Sequence, residues 1–126
     1  MKVTICGSLR FEDTIQRWHE ALAFNSYTPY CMVALPSQKN HKKEWYSTHE
    51  KMILDLIHLS KIEESDAILV VDIDGYIGES TQREIQWAKI RDKATYYASE
   101  QDKIGLLITQ HNFSELAVVT TVTEDF

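Results

Sequence analysis

The chain has 126 residues, 44% of them hydrophobic and 25% charged, with a formal net charge of −6. That length predicts a single domain with a proper hydrophobic core. The acidic balance argues against a nucleic acid polymer as partner, which would need a basic stripe to neutralise phosphates.

MKVTICGSLRF, the opening stretch, has no apolar segment of signal-peptide length, and no run approaches the ~18 apolar residues of a membrane helix. The expectation is a cytoplasmic protein with no membrane partner. Cys6 and Cys31 lie far apart inside apolar runs, which suits buried free thiols in a reducing compartment.

In chain order, Lys2–Cys6 (KVTIC) is short, β-branched and bounded by Gly7, and predicts a buried strand. Ile15, Trp18 and Leu22 recur at helical spacing, with Glu12 and Asp13 where a helix start favours anions. Tyr27–Leu35 reads as a second strand, which Pro29 confines to an edge or a strand start. Pro36–Thr48 is a polar loop whose Trp45 and Tyr46 suit either stacking on a base or lid packing. Met52, Leu56 and Leu59 mark a second helix, roughly His49–Glu64. Asp66–Ile73 is the clearest strand, apolar without alternation as when both faces are covered. A helix from Thr81 to about Asp92 and a short strand, ATYY, follow. Beyond Ser99, Ile104–Thr109 and Leu116–Val122 fit strand or helix equally, and packing against a second subunit is one role open to them.

Strands alternating with helices of this length predict an α/β fold: a flavodoxin-like or Rossmann-like, doubly wound parallel sheet of four to five strands with helices on both faces. Ligands of such sheets bind beyond the carboxyl ends of the strands, where strand order reverses. Two loops leave such ends with unusual chemistry, CGSLRF after the first strand and DIDGYIGES after the third. They face one crevice if those strands are neighbours.

In the second loop, Gly75 and Gly78 permit positive φ or close backbone approach, and Ser80 is placed as an N-cap. Glu84 lies about one turn into the helix, beside the Ile85/Ala88 stripe that must face the sheet. Its carboxylate can lean over the crevice as a nucleophile or as a stabiliser of a cationic transition state. Glu79 and Glu84 also fit as plain helix-start acids. Asp72 and Asp74 suit turn formation, sugar hydroxyl binding or orientation of Glu84, with Asp74 favoured as nearer the glycine turn. In the first loop Gly7 and Ser8 offer amides and a hydroxyl, and Arg10 a guanidinium fork, to a phosphate or carboxylate. Neither a P-loop nor a GxGxxG fingerprint is present. His41 and His49, eight residues apart and without a supporting carboxylate pattern, give no metal site.

Together, CGSLR and GESTQREIQWA resemble the nucleoside 2-deoxyribosyltransferase family, nearest to its 2′-deoxynucleoside 5′-phosphate N-hydrolases, over about three quarters of the chain, Lys2 to Tyr97. The resemblance implies a flavodoxin-like fold, a homodimer or higher homo-oligomer, no metal and no organic cofactor. It implies a small-molecule nucleoside or nucleotide as partner, and cleavage of its N-glycosidic bond. Glu84 stands at the position of the attacking glutamate, and the sugar passes to water or to another base. Ser8, Arg10 and Ser80 would hold the sugar's 5′ end. Thr4 stands where relatives often carry a tyrosine. His58 stands where a second acid is expected, with Asp55 one turn earlier, and its imidazole could serve as proton donor. Asn112 is a candidate contribution from a neighbouring subunit. These departures leave open a non-catalytic nucleotide-sensing module of the same fold.

Overall fold

The computed structural model describes residues 1–32 and 47–100. The expectations for Leu35, the loop containing His41, Trp45 and Tyr46, both apolar runs after Ser99, and Asn112 lie outside these residues. Within them the order is β1 (Lys2–Gly7), α1 (Glu12–Phe24), β2 (Thr28–Tyr30), α2 (Thr48–Glu64), β3 (Ala67–Val71), α3 (Glu79–Ile90) and β4 (Ala94–Tyr97). The four strands form one all-parallel sheet in the order β2-β1-β3-β4. This is the doubly wound, flavodoxin-like α/β arrangement. β1 and β3 are neighbours, with Cys6 opposite Val70 and Gly7 opposite Val71, so their exit loops lie side by side. Pro29 sits in the edge strand, where its missing N–H costs no ladder bond. No helix among the described residues is long and apolar enough to cross a membrane.

Strand alternation sorts the core into two layers. Val3, Ile5, Leu69 and Val71 meet Ile15, Trp18 and Leu22 of α1 on one face. Cys6, Ile68 and Val70 point the other way, against Ile62 of α2 and Ile85 and Ala88 of α3. Thr4 is buried and hydrogen-bonded through Oγ1 to the hydroxyl of Ser65.

Two helix readings are corrected. The side of α2 that packs inward carries His58 and Ile62, while Met52 and Leu56 of the expected stripe are 54% and 57% exposed. α3 begins at Glu79, two residues earlier than expected, with Gly78 rather than Ser80 as N-cap. Extended backbone at Gly78 already lets its carbonyl accept from the Gln82 amide at 2.9 Å, so Ser80 falls inside the first turn. α2 starts with a complete capping box: Ser47 Oγ accepts from the Glu50 amide, and the Glu50 carboxylate accepts from the Ser47 amide at 2.8 Å.

That box lowers the Glu50 pKa from the ordinary carboxylate range, chiefly through the Ser47 backbone bond. A depressed acid pKa contributes stability that is present above the unfolded value and lost as pH falls through the folded one. In an NMR titration Glu50 is therefore expected to titrate below an ordinary glutamate, and Ser47→Ala to move its midpoint upward. A midpoint unmoved by Ser47→Ala contradicts the assignment.

Gly7 is needed for a different reason. A Cβ there would lie 3.2 Å from Val71 Cβ and 3.3 Å from both Ile15 Cδ1 and the Val71 carbonyl. All three are fixed core atoms, so Gly7→Ala is expected to destabilise by roughly 1–3 kcal/mol in urea unfolding. An unchanged midpoint would show that β1 and β3 have slack at this point.

Candidate functional site

β1 delivers the chain into a short 3-10 turn, Leu9–Phe11, whose N-cap is Ser8; its Oγ accepts from the Arg10 amide at 3.3 Å. β3 delivers it, through Asp72, into a second turn, Ile73–Gly75, in which Asp74 and Gly75 both hold positive φ (55° and 77°). Aspartate tolerates that conformation better than most side chains. Aromatic contacts tie the turns together. The Arg10 guanidinium stacks on the Tyr76 ring at 3.9 Å, and Phe11 meets the same ring edge-on with centroids 5.9 Å apart.

The two aspartates have separate fates. Asp72 is buried and accepts from the Ser99 amide at 3.0 Å and the Ser99 hydroxyl at 2.6 Å, which pins the end of β4 to the β3 exit. Asp74 is exposed, and no hydrogen bond joins it to Glu84 among the described residues. Gly78 has an ordinary negative φ, so its use is as a helix cap rather than as a left-handed hinge.

Glu84, in the second turn of α3, is only 8% exposed. The pitch of α3 sets it beside Ile85 and Ala88, and they carry it inward to the sheet face where Cys6 emerges from β1. His58 enters from α2, 3% exposed. Its Nε2 lies 3.5 Å from Glu84 Oε1 and 3.6 Å from Cys6 Sγ. The first of these is an ion-pair distance but not a formed hydrogen bond: among the described residues, Glu84 Oε1 and His58 Nδ1 are both buried without a hydrogen-bond partner. Burial pushes the Cys6 thiol pKa well up, and the charge of the nearby Glu84 carboxylate adds to this. Cys6 is therefore a protonated thiol at neutral pH, packed behind the carboxylate.

Glu84 also forms part of the wall of a cleft of about 250 Å³ between α2 and α3, lined by Asp55, Leu59, Ser80, Arg83, Glu84 and Trp87. Trp87 is held in place by Arg91, stacked on its ring at 3.3 Å and bonded to Glu63 of α2 at 2.8 Å. Arg83 reaches back to Ser80 Oγ at 3.2 Å, so a cation and a hydroxyl sit together on the cleft wall. The chain matches no protein-family model, no curated protein and no solved structure.

Of the residues singled out in the sequence, Glu84 and His58 come together, and Ser80 and Asp55 line the cleft beside them. Ser8 and Arg10 belong to the turn under Tyr76 and do not line that cleft. Gly7 is buried against Val71 and Ile15. Cys6, Arg83, Trp87 and Tyr76 were missed as site residues. Trp87 had a signal, standing three residues after Glu84 on the same helix face. Cys6 had none, because its contact is 52 residues away in sequence.

A buried carboxylate with an unsatisfied oxygen costs stability that an apolar side chain does not. Glu84→Met is therefore expected to leave thermal stability unchanged or raise it, by up to about 2 kcal/mol. Clear destabilisation in calorimetry would mark Glu84 as a structural residue instead.

Proposed function

We propose that this chain cleaves the N-glycosidic bond of a 2′-deoxynucleoside or its 5′-monophosphate, with Glu84 as nucleophile and the sugar passed to water or to another base. The observation that carries this reading is the Glu84 carboxylate, buried beside the β1 exit, 3.5 Å from an imidazole and open to a cleft. Such a group is oriented before substrate arrives, and water does not screen it from the charge that develops at C1′. The likeness of the two exit loops to nucleoside 2-deoxyribosyltransferases supports the same chemistry.

In the first step a Glu84 oxygen bonds to C1′ as the C1′–N bond breaks, and the electron pair leaves with the base, which takes up a proton. In the second, water or an acceptor base attacks C1′ and frees the carboxylate. His58 is closer to Glu84 than the ~5–5.5 Å that separates nucleophile and acid in retaining glycosidases. We therefore assign His58 as the residue that positions Glu84. Asp55, on the opposite wall of the cleft, is assigned as the proton donor. Arg83 and Ser80 supply a charge-assisted donor and a hydroxyl suited to a 5′-phosphate.

Incubation with a panel of deoxynucleosides and their monophosphates, with and without an acceptor base, should release free base detectable by chromatography. Glu84→Gln should lower the rate by roughly 10³-fold or more, and Asp55→Asn by roughly 10²–10⁴-fold with loss of one limb of the pH profile. Arg83→Ala should raise KM roughly 10–100-fold for monophosphates and leave nucleosides little changed. No base released from any member of the panel would refute the reading.

A further inference from the structure

Cys6, His58 and Glu84 come from a strand and two different helices, all are buried, and their donor atoms lie within 4.8 Å of one another. We propose that these three side chains form a site for a zinc-class divalent cation. Tetrahedral zinc with bonds of about 2.3 Å to sulfur and about 2.0–2.1 Å to nitrogen or oxygen requires donor–donor edges of about 3.3–3.6 Å. Two edges are already of that length without a metal: 3.6 Å from Cys6 Sγ to His58 Nε2 and 3.5 Å from His58 Nε2 to Glu84 Oε1.

The donor set is also chemically suited. A thiolate, a neutral imidazole and a carboxylate together favour zinc over magnesium or calcium, which select oxygen ligands. The two anions balance the 2+ charge, so the buried site is neutral when filled. Binding would satisfy Glu84 Oε1, an oxygen that has no hydrogen-bond partner among the described residues. Cys6 is a thiol before binding, so the cation displaces its proton to solvent; one proton is released and no electron is transferred.

His58 Nδ1 has no partner among the described residues. Zinc-bound histidines ordinarily have their second nitrogen held, and lack of that support costs about 10–100-fold in affinity. The site is thus a reversible one rather than a structural zinc site. A consequence that rests on the proposed activity is competition: the same Glu84 oxygen serves the cation or the anomeric carbon, so the metal-bound form is inactive.

The test is a Co²⁺ titration of the reduced full chain and of Cys31→Ser, followed by Zn²⁺ displacement. Both proteins should bind one equivalent with a thiolate-to-cobalt charge-transfer band and release of one proton, and His58→Gln and Glu84→Gln should each weaken binding at least tenfold. X-ray absorption of the zinc-loaded natural chain needs no variant to fold, and should show one sulfur at about 2.3 Å with nitrogen or oxygen at about 2.0 Å. No charge-transfer band at saturating Co²⁺, its loss in Cys31→Ser, or a zinc shell without sulfur would overturn the site. No nucleotide enters these measurements. Failure here leaves the glycosidase reading standing, and a chain that binds metal but releases no base loses only that reading.

Discussion

A carboxylate held under the rim of a parallel sheet, with one oxygen unsatisfied, is the constraint on which the rest of this structure depends. Folding removes Glu84 from water without giving its Oε1 a hydrogen bond among the described residues. Buried polar atoms of that kind are uncommon, because each costs about 1–3 kcal/mol. The surroundings hold the arrangement in place from every side. Ile85 and Ala88 anchor α3 to the sheet, Ile62 anchors α2, and the Arg91–Glu63 pair links the two helices.

The two sheet faces divide the labour. The α1 layer is built on Trp18, Ile15 and Leu22 and supplies the rigid backing. The opposite layer carries the chemistry, with a thiol, an imidazole and a carboxylate set among Ile62, Ile68 and Val70. Alternation along β1 is what joins them: Val3 and Ile5 face one layer while Thr4 and Cys6 face the other. Above both, Arg10, Phe11 and Tyr76 lock the β1 and β3 exits into one unit.

Much of this was legible in the sequence, for local reasons. The unbroken apolar run of β3 announced a strand covered on both faces, and its glycine-bounded counterpart at the N-terminus supplied the neighbour. The pitch of a helix placed Glu84 inward beside Ile85. The facing of α2 was not legible, because Met52, Ile53, Leu54, Leu56, Ile57 and Leu59 spread over more than half of the helix circumference, and the narrower side with Lys51, Asp55 and His58 is the one that holds the buried residues. Periodicity then marks a helix without saying which side is buried, and tertiary packing chose His58 and Ile62. Ser80 lost the capping position because extended backbone at Gly78 ends the coil two residues earlier. The Cys6–His58–Glu84 cluster was beyond reach for another reason: no local rule brings a strand residue to two helices distant in sequence.

The central claim is that Glu84 takes the sugar covalently. The most direct measurement is mass spectrometry of protein acid-quenched during turnover of a deoxynucleoside monophosphate, with the adduct located by peptide mapping. The account predicts a deoxyribosyl 5-phosphate increment on the peptide bearing Glu84. Release of base with the adduct on another residue, or with no adduct under conditions that slow the second step, would contradict it.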